Sequence, residues 1–172
     1  MNNSNNIINI RELNKTFIIN NKNKLNIINQ INFNIEINKT ISITGPSGSG
    51  KSTFLNILGL LDLDFKGIYF FKGLDISNIS KTKINELRGS SIGFIHQFFH
   101  LIPELTAIEN VMLPILINNR EKNAYDIAKK IMVTFELSDR LNYKPSKLSG
   151  GEQQRIAIAR SLVHNPDIIL AD

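Results

Sequence analysis

The sequence predicts an α/β fold that joins an N-terminal antiparallel β subdomain to an α/β core and an α-helical subdomain. Three observations predict it. Ile41, Ser42, Ile43 and Thr44 lead into the glycine-rich stretch GPSGSGKS (residues 45–52), and Phe54, Leu55, Ile57, Leu58 and Leu61 then recur at helical spacing, which reads as buried strand, loop and helix. Ile31, Phe33, Ile35 and Ile37 alternate with Asn32, Asn34 and Glu36, the pattern of an antiparallel strand with one wet face. Beyond Gln97 the apolar spacing turns helical.

In chain order, Ile7, Ile8 and Ile10 read as a first strand, followed by Leu13, Asn14, Lys15, Thr16 and Phe17. After the glycine loop and its helix, residues 68–71 form a short strand closed by a Lys72-Gly73 turn. Residues 81–87 are weakly helical, and 92–95 make an apolar strand ending at His96 and Gln97. Thr106 and Glu109 form a capping-box pair ahead of a helix in which Pro114 predicts a kink or early stop. Ala124, Ile127, Ala128, Ile131, Met132 and Phe135 predict an amphipathic helix over 124–137, with Met132 and Phe135 in the core. Pro145 closes that region, Gly150 and Gly151 open a helix with Ile156, Ala159, Leu162 and Val163 on one side, and Pro166 breaks it. Ile168, Ile169 and Leu170 form a buried strand ending at Ala171 and Asp172.

At 172 residues the chain suggests one domain, in three parts: 1–97, 98–147 and 148–172. It has no cysteine, which excludes disulfides and cysteine-held zinc. Its net charge of +5 comes with no basic block interleaved with aromatics, so no nucleic-acid partner is expected. The apolar run at 111–117 falls far short of the ~18 residues a membrane helix needs. The opening MNNSNN lacks a charged-then-apolar signal pattern, so the expected location is cytosolic or peripheral to a membrane.

The glycine stretch fits the phosphate-binding pattern G-x-x-x-x-G-K-[ST] at every fixed position and has the strand and helix that pattern needs. This gives the core as a P-loop NTPase (RecA-like) fold. Gly45, Gly48 and Gly50 would let the backbone curl so that successive N–H groups of the loop, which also holds Pro46, Ser47 and Ser49, point at one phosphate. Lys51 would reach the β- and γ-phosphates, the Ser52 hydroxyl would ligate Mg²⁺, and Thr53 would donate to the α-phosphate.

Many NTPases share that loop; LSGGEQQR (residues 148–155) is more discriminating. A serine and a glycine pair at a helix start read either as a plain N-cap or as a second phosphate cradle. With both motifs in order, the chain resembles the ATP-binding subunits of ABC transporters from about Ile7 to Asp172. The resemblance implies ATP and Mg²⁺ as cofactors and a head-to-tail dimer in which Ser149, Gly150 and Gly151 bind the γ-phosphate of ATP held by the opposite copy. It places Gln97 at the loop glutamine that contacts Mg²⁺ or the attacking water. It places Phe17 at the adenine-stacking aromatic, a ring that could equally be a core phenylalanine. It places Asp172 at the aspartate that holds Mg²⁺ through water. The family's next residue, a catalytic glutamate, and its switch histidine have no counterpart, which implies a shortened, non-hydrolysing chain as one alternative. Within the family, residues 92–117 are most similar to lipoprotein-releasing subunits, with macrolide-export and cell-division ATPases close. This implies transmembrane subunits as partners, a partly exposed docking segment over residues 98–117 that includes Phe98, Phe99 and Leu101, and a place on the cytoplasmic face of the inner membrane. Chromosome and DNA-repair ATPases with the same signature carry coiled coils or cysteine-rich insertions; here Lys51 and Ser149 are 98 positions apart with no sustained heptads and no cysteine. The guanine pattern N-K-x-D is missing, since Asn14 and Lys15 lead into Thr16 and Phe17.

Overall fold

The computed structural model describes residues 5–20, 23–118 and 122–172; residues 1–4 of the MNNSNN stretch lie outside these. The chain divides into two compact units, Met1–Ile84 and Asn85–Asp172.

The first unit is built on a four-stranded antiparallel sheet in the order β2-β1-β3-β4, from β1 (Asn6–Asn20), β2 (Asn23–Glu36), β3 (Lys66–Phe71) and β4 (Leu74–Asp75). The strand expected at Ile7 to Ile10 runs on to Asn20. The polar residues between Ile10 and Phe17 hid this continuity, and the structure accommodates them with bulges. Glu12 and Gln30 take left-handed backbone (φ 49° each). Their amides donate to the side chains of Asn32 and Asn14, both at 3.0 Å. Asparagine inside these strands therefore stands in for missing ladder bonds. In β2 the alternation holds, with Ile35 buried and Asn32, Asn34 and Glu36 exposed, but Ile37 lies past the strand end and is exposed.

Residues 41–44 are not a strand. They lie in irregular backbone, and Ile41 is exposed. A short run such as Ile-Ser-Ile-Thr becomes a buried strand only when hydrogen-bonded neighbours flank it, and these residues pair with no strand of either described sheet. The helix after the loop, α1 (Lys51–Leu58), forms as expected and buries Phe54, Leu55, Ile57 and Leu58. It ends one turn before Leu61, because Gly59 caps it and Leu60 turns left-handed (φ 57°), leaving Leu61 exposed. The Tyr69 hydroxyl of β3 donates to the Leu58 carbonyl at 2.7 Å, tying the sheet to the end of α1; burial pushes this phenol's pKa up.

Helix α2 (Lys81–Ser91) leads into the second unit, where β5 (Ile92–Ile95) and β6 (Ile168–Ala171) pair in parallel. Of the three apolar residues expected buried in β6, only Leu170 is; Ile169 is exposed. Helices α3 (Ala107–Ile117), α4 (Ala124–Thr134) and α5 (Gly150–Leu162) pack around Val111, Met132, Ile156 and Ala159, all fully buried. The capping box of Thr106 and Glu109 starts α3. Pro114 does not stop it, because a proline removes one N–H donor while Val111 and Ile115 on either side are held in the core. Helix α4 ends at Thr134, short of the expected Leu137, because Glu136 takes left-handed backbone (φ 58°). Met132 is in the core, Phe135 packs against its edge, and Ile127 faces outward.

Candidate functional site

In the first unit the phosphate-type loop runs into α1 through Gly48 (φ 78°) and Gly50 (φ 91°). Gly50 is also fixed by packing, since a Cβ there would sit 2.7 Å from Ile27 Cγ2. The first turn of α1 carries no acidic side chain, so its N-terminal partial positive charge is not offset within the helix. The Lys51 ammonium folds back over the loop and donates to the carbonyls of Gly45 at 3.0 Å and Pro46 at 2.8 Å. Ser52 is exposed and Thr53 half-buried at the helix start.

Phe17 is not a core phenylalanine. It is 43% exposed, and the Lys15 ammonium lies 4.9 Å from its ring centroid. Lys15 itself is buried and pairs with Asp62 at 2.9 Å and Asp64 at 3.3 Å. Burial pulls the ammonium's pKa down, but the hydrogen bonds and charges of the two aspartates outweigh it and the net direction is up. Sequence reading missed this pairing, because partners 47 residues apart leave no local pattern.

In the second unit the parallel register sets Ile95 beside Ala171, and the Asp172 amide donates to the Ile95 carbonyl at 3.0 Å. Gln97 and Asp172 therefore leave the same end of the two strands, both exposed. Carboxyl ends of parallel strands are where α/β sheets bind ligands. Within this unit the Gln97 amide oxygen and the Asp172 carboxylate are hard oxygen donors of the kind Mg²⁺ takes; Ser52 belongs to the first unit. Among the described residues no three His, Cys, Asp or Glu cluster to hold a metal by protein groups alone. His96, next to Gln97, stacks on Phe94 (centroids 4.2 Å apart) and meets His100 edge-on. Burial first, then the charges of His100 and Arg160, lower its pKa. Arg160 of α5 donates to the carbonyls of Phe99 at 2.8 Å and His100 at 2.7 Å, clamping the segment that follows Gln97. No sequence pattern signalled either feature.

The second glycine pair opens α5. Ser149 is its N-cap and Glu152 completes a capping box, with the Ser149 amide donating to Glu152 Oε2 at 2.8 Å and the Glu152 amide to Ser149 Oγ at 3.3 Å. The box uses the amides of Ser149 and Glu152 and leaves those of Gly150 and Gly151 to whatever lies outside the chain. Neither glycine has left-handed backbone, and a Cβ on either would meet nothing within 4 Å. The fold does not require glycine at these two positions.

A family model described as ABC transporter matches residues 28–172. The lipoprotein-releasing system ATP-binding protein LolD of Syntrophus aciditrophicus is 43% identical over 167 residues, covering 96% of this chain and 74% of that protein. The macrolide export ATP-binding/permease protein MacB of a Shewanella species is 44% identical over 150 residues, covering 87% of this chain and 23% of that protein. Among solved structures, a dimer of the ATP-binding cassette MJ0796 in a post-hydrolysis state, bound to ADP and Pi, has a TM-score of 0.88 and 39% identity, covering 96% of this chain and 73% of that one.

Proposed function

The chain belongs to the ABC transporter family as an ATP-binding domain, and from that premise we propose that it is the subunit that couples ATP binding and hydrolysis to lipoprotein release from the inner membrane. The loop from Gly45 to Gly50, with Lys51, Ser52 and Thr53, takes the phosphates of ATP, and the exposed ring of Phe17 takes the adenine. Gln97 and Asp172 serve Mg²⁺ and the attacking water, Asp172 through water. The metal, when bound, neutralises phosphate charge as it develops. Two copies associate head to tail, and Ser149, Gly150 and Gly151 of each receive the γ-phosphate held by the other. No helix among the described residues is long and apolar enough to cross a membrane, which fits a subunit docked at the cytoplasmic face on transmembrane partners.

The observation that carries this reading is the bare start of α5. Glycine inside a helix costs roughly 0.5–1 kcal/mol relative to alanine. Two in a row, needed neither for backbone nor for packing, point to a ligand that must come close to the amides. Lipoprotein release is favoured by the LolD relative, which aligns along nearly the whole chain; macrolide export is the second reading, favoured by MacB. The test is reconstitution with membrane subunits of a lipoprotein-releasing system in vesicles loaded with a lipoprotein. ATP-dependent release of the lipoprotein is expected. ATP turnover stimulated by a macrolide and not by the lipoprotein would overturn it in favour of export.

A further inference from the structure

The capping-box carboxylate of Glu152 is held from two sides. One oxygen accepts the Ser149 amide at 2.8 Å; the other accepts Arg140 Nε at 2.7 Å. Arg140 comes from a short 3₁₀ turn, Ser138–Arg140, twelve residues before Glu152. Its guanidinium lies 5.3 Å from the Tyr143 ring centroid. The backbone just beyond it is fixed as well, because the carbonyls of Leu141 and Tyr143 accept the first-turn amides of α3, from Ile108 at 3.0 Å and Ala107 at 2.8 Å. The Arg140 backbone thus stands on the start of one core helix while its side chain reaches the start of another.

Most exposed ion pairs contribute little, because two long side chains must be ordered to make them. This pair differs in what it orients. The Glu152 side chain is only 18% exposed, and its second oxygen is committed to the serine that faces the ligand end of α5. The Ser149 hydroxyl accepts from the Glu152 amide at 3.3 Å, and it also hydrogen-bonds the Glu152 carboxylate, so the carboxylate fixes both the amide and the side chain of this serine. The ordered carboxylate also shows in its pKa, taken down to about 2 first by the Ser149 amide and next by Arg140.

We propose that Arg140 is a positioning residue for the trans-nucleotide site, fixing Ser149 at the open end of α5 through the Glu152 carboxylate. This rests on the reading, given above, that the end of α5 receives the phosphate of ATP bound to a second copy. Arg140 touches no nucleotide of its own subunit in this scheme. Its loss would leave ATP binding by the monomer intact and weaken only the association of two ATP-loaded copies.

The experiment measures two quantities on the purified chain: affinity for a non-hydrolysable ATP analogue by calorimetry at low protein concentration, and the dimer dissociation constant with saturating analogue by analytical ultracentrifugation. Arg140→Ala is expected to leave the first unchanged and raise the second about tenfold. Arg140→Lys keeps the charge and is expected to recover part of the loss. In a Glu152→Gln background, which keeps the cap but not the ion pair, Arg140→Ala is expected to add little. Full additivity in that cycle would overturn the proposal, and so would a fall in monomer affinity parallel to the fall in dimerisation. Gly151→Asp tests the underlying reading separately. If it leaves dimerisation untouched, the α5 end is not a phosphate site. If it abolishes dimerisation while Arg140→Ala and Arg140→Lys both match wild type, the site stands and the role of Arg140 is refuted.

Discussion

Gly151→Ala separates what the fold needs from what a ligand needs. Gly151 is the second residue of α5, its backbone is helical, and a methyl there would meet no atom within 4 Å. For the isolated chain the substitution removes the entropic penalty of a helical glycine and should stabilise by roughly 0.5–1 kcal/mol. At this chain length 1 kcal/mol corresponds to roughly 2–4 °C in Tm, so a rise of about 1–4 °C is expected in nucleotide-free thermal melts. On the function proposed above, the same methyl would stand where a phosphate oxygen comes within hydrogen-bond distance of the amide, about 3 Å, so nucleotide-dependent dimerisation should fall at least tenfold. Gly50→Ala is the contrast. At φ 91°, with its Cβ 2.7 Å from Ile27 Cγ2, it should destabilise by about 1–3 kcal/mol. A Gly151→Ala protein that melts lower than wild type would refute the open-space assignment. One that melts higher and dimerises normally would remove the ligand from the explanation of the glycine pair.

Three further outcomes are expected. Lys51→Ala should weaken ATP binding at least tenfold in calorimetry, since a charge-assisted hydrogen bond contributes ~1.5–3 kcal/mol; equal affinity would dismiss the lysine from the phosphate site. Phe98 is 72% exposed, so Phe98→Asp should leave Tm and ATP affinity unchanged while abolishing pulldown by the membrane subunits; normal pulldown would take this residue out of the interface. The Glu152 carboxyl should titrate near pH 2 by carbon NMR. Its folded pKa lies below the ordinary glutamate value of about 4.3, so its stabilisation is fully present above that value and is lost as the pH falls through about 2. Arg140→Ala should move the midpoint upward, and an unmoved midpoint would show that the ion pair does not form in solution.

What was legible in the sequence was what neighbours in sequence decide. The loop from Gly45 to Ser52, the helix opened by Gly150 and Gly151, and the capping box of Thr106 and Glu109 each need only a few adjacent residues to specify their geometry, and each formed where expected. The run at 41–44 failed because a strand is a property of its neighbours as much as of itself. β1 was cut short because Asn14 and Lys15 look like a strand end until their partners are known, a bulge amide for one and two aspartates for the other. The exposed placement of Phe17 could not be read from its residue type, since an aromatic in a strand serves a core or a binding surface equally well. Arg140 and Arg160 escaped notice for one reason: an arginine whose partner is a distant carboxylate or carbonyl is, in sequence, one more surface charge.

The two hydrogen bonds from Arg160 to the carbonyls of Phe99 and His100 bear on how anything meets the neighbouring Phe98 ring. A side chain that projects from a wandering loop must surrender the loop's freedom on contact, and immobilising each flexible group costs about 0.5–1.5 kcal/mol. The backbone on the C-terminal side of Phe98 has already surrendered it to a core helix. A partner that covered the ring would therefore forfeit less of its burial energy to ordering this backbone, as a socket does when it meets a fixed stud.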